Sequence, residues 1–286
     1  MINILVTGSN GQLGNEIKKL TDEFPDFNFT FTDIAELDLT DELAVKNWFD
    51  INKPDVCLNC AAYTAVDKAE EDRDLAMLVN KTAVAILAKN CARLNTLLIH
   101  VSTDYVFDGK NFKPYIEEDN TAPISYYGLT KLQGEIAVEE YANRYLIIRT
   151  SWLYSIYGNN FVKTMIRLGK ERDELGVVFD QIGTPTFAGD LAHAMLVASE
   201  QLYNKEVKEL YHYSNEGVIS WYDFAVAIME EANLNCKVKA IESKDFPTKT
   251  NRPFYSVLNK SKIKNHLNIE VPYWRLSLKK MITDLE

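Results

Sequence analysis

Tyr127 and Lys131, in Tyr127-Gly128-Leu129-Thr130-Lys131, put a phenol and an ammonium one turn apart on the same face of a helix expected from about 125 to 142. A free phenol titrates near 10, so a neighbouring cation helps it donate a proton and hold developing oxyanion charge. Of the fifteen tyrosines only Tyr127 is followed four positions later by lysine. Upstream, Ser102-Thr103-Asp104 ends a strand-like run, and strand ends face the ligand crevice in doubly wound folds. A hydroxyl there can hydrogen-bond a substrate carbonyl. Thr103, Tyr127 and Lys131 are therefore the candidate catalytic residues, and their chemistry is proton transfer at a carbonyl oxygen.

A second constellation precedes them. Gly8-Ser9-Asn10-Gly11-Gln12-Leu13-Gly14 follows the first apolar strand directly and opens the first helix. Glycines in that position allow a tight turn, let a pyrophosphate approach backbone amides, and permit close helix packing. Asp33 closes the second strand, where an acid can accept hydrogen bonds from adenosine ribose hydroxyls and repel a 2′-phosphate. NADH is expected to be tolerated at least.

The elements that must hold these groups follow from periodicity. Strands are expected at 3–7, 28–32, 56–60, 97–102 and 145–149, and helices near 12–22, 41–51, 72–94 and 125–142. Thr40 reads as the N-cap of the helix that begins with Asp41-Glu42. This alternation predicts an α/β protein, a Rossmann-type doubly wound parallel sheet over residues 1–150. Beyond Arg149 the rhythm loosens into helices near 161–170, 189–203, 220–233 and 274–284, with a strand near 237–241. Residues 151–286 are read as a mainly substrate-binding lobe, some of whose segments return to the first domain.

Composition excludes several classes. The 47% hydrophobic and 25% charged content is that of an ordinary globular protein, and no apolar run reads as a membrane span. No secretory signal is expected, so the expected location is cytoplasmic. A net charge of -10 argues against a nucleic-acid partner, which needs a basic face. Cys57 and Cys60 form a C-x-x-C, but they sit in a buried-strand pattern without a second pair at zinc spacing. His100 and His193 read as packing residues, and no metal ligand is assigned.

The glycine spacing, the Tyr127/Lys131 pair and the strand-end Thr103 together resemble the extended short-chain dehydrogenase/reductase superfamily. In that resemblance Asn59 to Tyr63 matches a segment lining the adenine and nicotinamide side of the cleft, with Cys60 in place of the first alanine. It implies a cofactor set of Gly8, Asn10, Gly11, Gln12, Leu13, Gly14, Asp33, Asp38, Leu39, Cys60, Ala61, Ala62, Tyr63, Asn80, Tyr127 and Lys131. The dehydratases of the group carry Thr-Asp-Glu at the strand end. Here Tyr105 stands in the third place, and Ser102 to Gly109 is similar to the dTDP-4-dehydrorhamnose reductase family. Further similar segments are Ala61 to Glu70, Arg149 to Trp152, Gly158 to Phe161, Asp180 to Thr186 and Arg252-Pro253, so the resemblance spans essentially the whole chain.

That resemblance implies reduction of the 4-keto group of dTDP-4-dehydro-6-deoxy-L-mannose to dTDP-L-rhamnose, with NADH or NADPH as cofactor. It implies a nucleotide-sugar site of Thr64, Val66, Thr103, Asp104, Tyr105, Trp152, Asn160 and Arg252, in a monomer or homodimer. Trp152 offers a flat apolar face, Asn160 amide hydrogen bonds, and Arg252 a planar fork for a diphosphate. Core packing, a helix cap and a surface ion pair are the other duties open to the same three. Mg2+ is often associated with the family, yet no compact acidic cluster is visible and Gly189 stands where an acid would be expected. Two other functions stay open: reduction of a different nucleotide-linked 4-ketosugar, and a non-catalytic NADP-binding regulatory subunit, because relatives of this fold regulate methionine adenosyltransferase.

The pairing of Tyr127 with Lys131 makes one test direct. Tyr127→Phe should lower kcat by about 10²-fold or more while cofactor binding stays largely intact, since a general acid contributes roughly 10²–10⁴-fold. Turnover near that of the wild type would remove Tyr127 from the mechanism.

Overall fold

Short apolar runs between helices make the central sheet. The computed structural model describes residues 1–285. In chain order its first half contains β1 (Ile2–Thr7), α1 (Gln12–Lys19), β2 (Phe27–Thr32), α2 (Glu42–Asn52), β3 (Val56–Asn59), α3 (Arg73–Met77), α4 (Ala83–Leu94), β4 (Leu97–Thr103), α5 (Tyr126–Tyr141) and β5 (Tyr145–Thr150). The second half contains β6 (Leu153–Tyr154), α6 (Phe161–Glu171), β7 (Glu174–Val178), β8 (Ile182–Gly183), β9 (Thr186–Phe187), α7 (Ala188–Leu202), β10 (Lys208–His212), β11 (Ile219–Ser220), α8 (Trp221–Glu231), β12 (Lys237–Ile241), α9 (Ser261–Leu267) and α10 (Trp274–Thr283).

Six strands form one sheet in the order β2-β1-β3-β4-β5-β10, every neighbouring pair parallel. Side chains alternate across it, as the two-residue period demands. Ile4, Val6, Leu58, Ile99 and Ile148 face α1 and α7, whereas Leu5, Cys57, Leu98 and Ile147 face α2, α4 and α5. The chain leaves β1 towards β2 on one side and β3 on the other. A crevice therefore opens between the C-terminal ends of β1 and β3, where doubly wound folds take their ligands.

Segments of the second half return to this sheet. β10 pairs with β5, and α7 packs on α1 in the main core, along with Ile263 and Leu267 of α9. A separate smaller core gathers Tyr154, Val162, Phe187, Phe224, Trp274 and Met281. β6, which follows β5 directly, carries Tyr154 into it.

Three local readings change. The cap of α2 is Asp41, whose carboxylate accepts from Ala44 N at 2.9 Å, while Thr40 donates its hydroxyl to Asp38. The stretch expected as one helix over 72–94 passes through a π turn at Leu78–Thr82 between α3 and α4. Arg73–Leu94 is also long and apolar enough to cross a membrane by length and composition; half of it is buried in the protein, with Val84, Leu87 and Cys91 packed into the sheet's core. Cys60 falls just past β3, and the cysteines are free thiols.

The corrected cap has a measurable consequence. Asp41→Ala should cost about 1 kcal/mol of stability through the lost N-cap bond, and Thr40→Ala distinctly less. Urea unfolding of both variants measures the difference, and equal losses would contradict the assignment.

Candidate active site

The loop after β1 crosses the end of β3 at contact distance. Gly8 has φ +63°, and a Cβ there would lie 2.6 Å from Ala61 N and Cα, so only glycine fits. Gly14 packs its α-carbon against the Ser9 backbone in the same way. Gly11, the N-cap of α1, brings no side-chain cap, which leaves first-turn N–H groups available to an anion. Asp33 organises this loop: its carboxylate accepts from Asn10 N at 2.9 Å and from Ile34 N at 2.8 Å. Gly8, Asn10, Gly11, Asp33, Asp38, Leu39, Cys60, Ala61 and Ala62 all line one cavity of about 430 Å³. An open cavity bordered by a glycine loop pressed onto the β3 end, and walled by an acid at the β2 end, fits the adenosine and pyrophosphate of a dinucleotide.

A second cavity, about 610 Å³, shares Gly11, Cys60 and Ala62 with the first and continues it. Gln12, Leu13, Thr64 and Val66 line it, with Thr103, Asp104 and Tyr105 from the β4 end and Tyr127 and Lys131 from α5. Trp152 and Arg252 close it from the second lobe. Trp152 adopts φ +48° and stacks on Trp221 at 3.6 Å, the two rings nearly parallel. Ser125 caps α5 by accepting from Gly128 N, which fixes where Tyr127 and Lys131 start.

Three expected site residues point elsewhere. Asn80 is fully buried, and its amide is spent on Tyr63 N, Tyr63 O and Thr130 Oγ1 at 2.9–3.0 Å. It clamps the Ala62-Tyr63 turn, and Val79 and Ala83 supply the cavity wall instead. The Tyr63 hydroxyl donates to Asp72, away from both cavities. Asn160 caps α6 by accepting from Lys163 N, and its NH2 donates to Gln12 Oε1 and Ser155 O, so Asn159 is the residue at the cleft. Arg252 pairs with Asp67 at 3.1 Å through Nη2, while its Nε is buried without a partner. Trp221 was invisible to pattern reading. Its only local signal is the capping box of Ser220 and Asp223 that starts α8.

Burial sets the electrostatics. It pushes the Tyr127 phenol up to about 12, offset in part by the Thr103 hydroxyl and reinforced by Asp104. Lys131 does not offset this rise: its ammonium is buried too and donates to Val101 O at 2.7 Å. Burial brings Lys131 down to about 8 against the opposing pull of Glu135. Tyr127 thus stays protonated at neutral pH, as a proton donor must. Burial also raises Asp104 to about 7, with Thr103 and Ser256 opposing. As an anion Asp104 accepts the Thr103 hydroxyl at 3.0 Å; protonated, it can donate to that oxygen and free the Thr103 proton for the cleft. Among the described residues no group of three or more His, Cys, Asp or Glu could hold a metal ion, and a Cβ at Gly189 would meet the Phe187 ring at 2.5 Å.

Comparison with known proteins adds the lineage. The family model described as RmlD substrate binding domain matches residues 2–286. The chain is 42% identical to a dTDP-4-dehydrorhamnose reductase of Aggregatibacter actinomycetemcomitans over 98% of each sequence. It is similar to the crystal structure of a dTDP-4-dehydrorhamnose reductase from Clostridium acetobutylicum, with TM-score 0.94, 43% identity and 99% of both chains covered. The structure of the Bacillus anthracis dTDP-4-dehydrorhamnose reductase in complex with NADP matches with TM-score 0.92 and 39% identity over 99% of this chain and 100% of that one.

The raised Asp104 carboxyl gives a signed pH dependence. The folded protein holds that proton up to about pH 7 and the unfolded chain releases it near 3.8, so the folded state binds more protons between them. Its contribution to stability is complete below pH 3.8 and is lost as pH rises through 7. Asp104→Asn should therefore be more stable relative to wild type at pH 8 than at pH 5 in urea titrations. A pH-independent difference would show that Asp104 is ionised throughout.

Proposed function

The chain belongs to the RmlD substrate binding domain family, and from that premise we propose that it reduces the 4-keto group of dTDP-4-dehydro-6-deoxy-L-mannose, giving dTDP-L-rhamnose with NADH or NADPH as reductant. The observation that carries this reading is the continuity of the two cavities: the glycine cradle runs directly into the pocket that holds Thr103, Tyr127 and Lys131. Bound there, the nicotinamide cofactor supplies the hydride to C4. Tyr127 donates its proton to the carbonyl oxygen, and its burial keeps that proton in place until the oxygen becomes basic. Lys131 has N–H donors left beyond its bond to Val101 O, and these serve the cofactor ribose and the phenolate that Tyr127 leaves behind. Thr103 orients the carbonyl when Asp104 releases its hydroxyl proton.

The second lobe holds the rest of the substrate. Trp152, braced by Trp221, is a rigid apolar wall for the sugar. Arg252 sits where the reaction cavity meets a further cavity of about 530 Å³ with Lys110, Lys244, Phe246 and Phe254 on its walls. Its half-used guanidinium suits a diphosphate, and the cavity beyond suits a nucleoside. The finer reading is a cytoplasmic enzyme acting as a monomer or homodimer.

Remote binding energy from the nucleotide should help position the keto carbon, so a free 4-ketosugar is expected to lose kcat as well as affinity. The assay supplies purified protein with dTDP-4-dehydro-6-deoxy-L-mannose made in situ by the preceding epimerase, follows NADH or NADPH oxidation, and identifies the product by NMR. Stoichiometric dTDP-L-rhamnose is expected. Turnover only of a UDP- or GDP-linked ketosugar would keep the reductase class and sink the rhamnose assignment; no turnover, with a co-purifying enzyme, would favour the regulatory subunit.

A further inference from the structure

Beneath the reaction cavity, α5, β4 and β5 meet in a closed charge cluster. Glu135 lies one turn beyond Lys131 and two beyond Tyr127, on the same face of α5. It is 2% exposed and accepts from Arg149 Nε at 2.9 Å and Nη2 at 2.7 Å, and from the Ser102 hydroxyl. Arg149 is itself buried, with its guanidinium 5.0 Å above the Phe107 ring and Nη1 without a partner. Three successive residues of β4 thus hold three polar groups of α5. Val101 O takes the Lys131 ammonium, Ser102 binds Glu135, and Thr103 stands beside Tyr127.

A buried ion pair is weak evidence for stability, because well-packed apolar residues of similar volume often do as well. Its place on the catalytic face suggests another use. We propose that Glu135 and Arg149 are positioning residues for the reduction: their two-pronged pair locks α5 in register with β4 and β5, and their mutual neutrality keeps Lys131 the one net cation beneath the cleft. This rests on reading Tyr127 and Lys131 as the catalytic pair.

The surrounding groups leave that balance to few charges. Lys131 faces Glu135 of its own helix, Cys60 past β3, and His100 of β4. Glu135 faces Lys131 and Glu139 of α5, Ser102 of β4 and Arg149 of β5; Arg149 also faces His212 of β10. Asp104 of the β4 end faces Tyr127. Burial holds His212 down at about 3, keeps His100 well below the usual imidazole range, and pushes the Cys60 thiol up. All three are neutral over the working range. Glu139, which feels both Glu135 and Arg149, is kept in every variant below.

The test uses charge sign. Reduction needs Lys131 as a cation, so in a common Asp104→Asn background, which removes that carboxyl's own titration near 7, turnover should fall as pH rises through the Lys131 value near 8. Glu135→Gln leaves Arg149 as an unpaired cation that repels Lys131, and the alkaline limb of kcat should move down by about one pH unit. Arg149→Met leaves Glu135 as an unpaired anion, and the limb should move up by about as much. The double variant should return to the limb of the parent. Shifts in the same direction, or none, would make the pair merely structural. If a single variant fails to fold, Glu135→Asp and Arg149→Lys keep the charges but break the fork. They should lower kcat about tenfold with the limb in place and the cofactor KM unchanged; the parent's kcat in both would overturn the proposal. A wild-type protein that turns over no ketosugar at all would instead count against the catalytic reading of the site.

Discussion

The site depends on how closely α5 presses onto its neighbours. A Cβ at Gly128 would lie 2.2 Å from Tyr105 O, and one at Gly134 would lie 2.3 Å from Asn80 O. Both contacts are with backbone, so neither can yield by moving a side chain. The two glycines let the helix descend onto the β4 end and onto the π turn at Leu78–Thr82. That descent puts Tyr127 and Lys131 at the crevice, with the Lys131 ammonium on a β4 carbonyl. The π turn supplies Asn80, whose amide then holds the Ala62-Tyr63 turn that walls both cavities. Close packing and local irregularity are one device here.

Burial of ionisable groups is the second organising fact. Desolvation raises Tyr127 and Asp104 and lowers Lys131, and in each case it outweighs the neighbouring charges. For a reductase the direction is useful, because the proton donor must keep its proton until hydride arrives. The cost of burying Lys131 is offset by its bond to Val101 O and by the attraction of Glu135. Water-poor surroundings also strengthen each dipole aimed at the reacting oxygen.

The second lobe acts on this site through a few contacts. Asn160 donates to Gln12, so the start of α6 is tied to the dinucleotide loop. Trp152 is held against Trp221, and Arg252 against Asp67. Each tie joins residues far apart in the chain. The glycine loop and the walls of the second cavity are therefore tied together across distant parts of the chain.

Much of the protein was legible before any coordinates. Glycines at 8, 11 and 14 after an apolar strand, Asp33 at the next strand's end, and Tyr127 four residues before Lys131 are local signals, because adjacency and helical period alone decide them. The alternation of strands and helices specified the doubly wound sheet for the same reason. Tertiary structure alone decided where long-range polar groups spend their hydrogen bonds. Asn80 and Asn160 carry the right chemistry for a ligand, yet Thr130 and Gln12, 50 and 148 residues away, claim their amides. Trp221 reaches the cleft only because β11 pairs with β8, and Glu135 meets Arg149 only because α5 lies across β5. Side-chain direction is set by which partners the packed chain brings within reach, and a one-dimensional pattern holds no record of those distances.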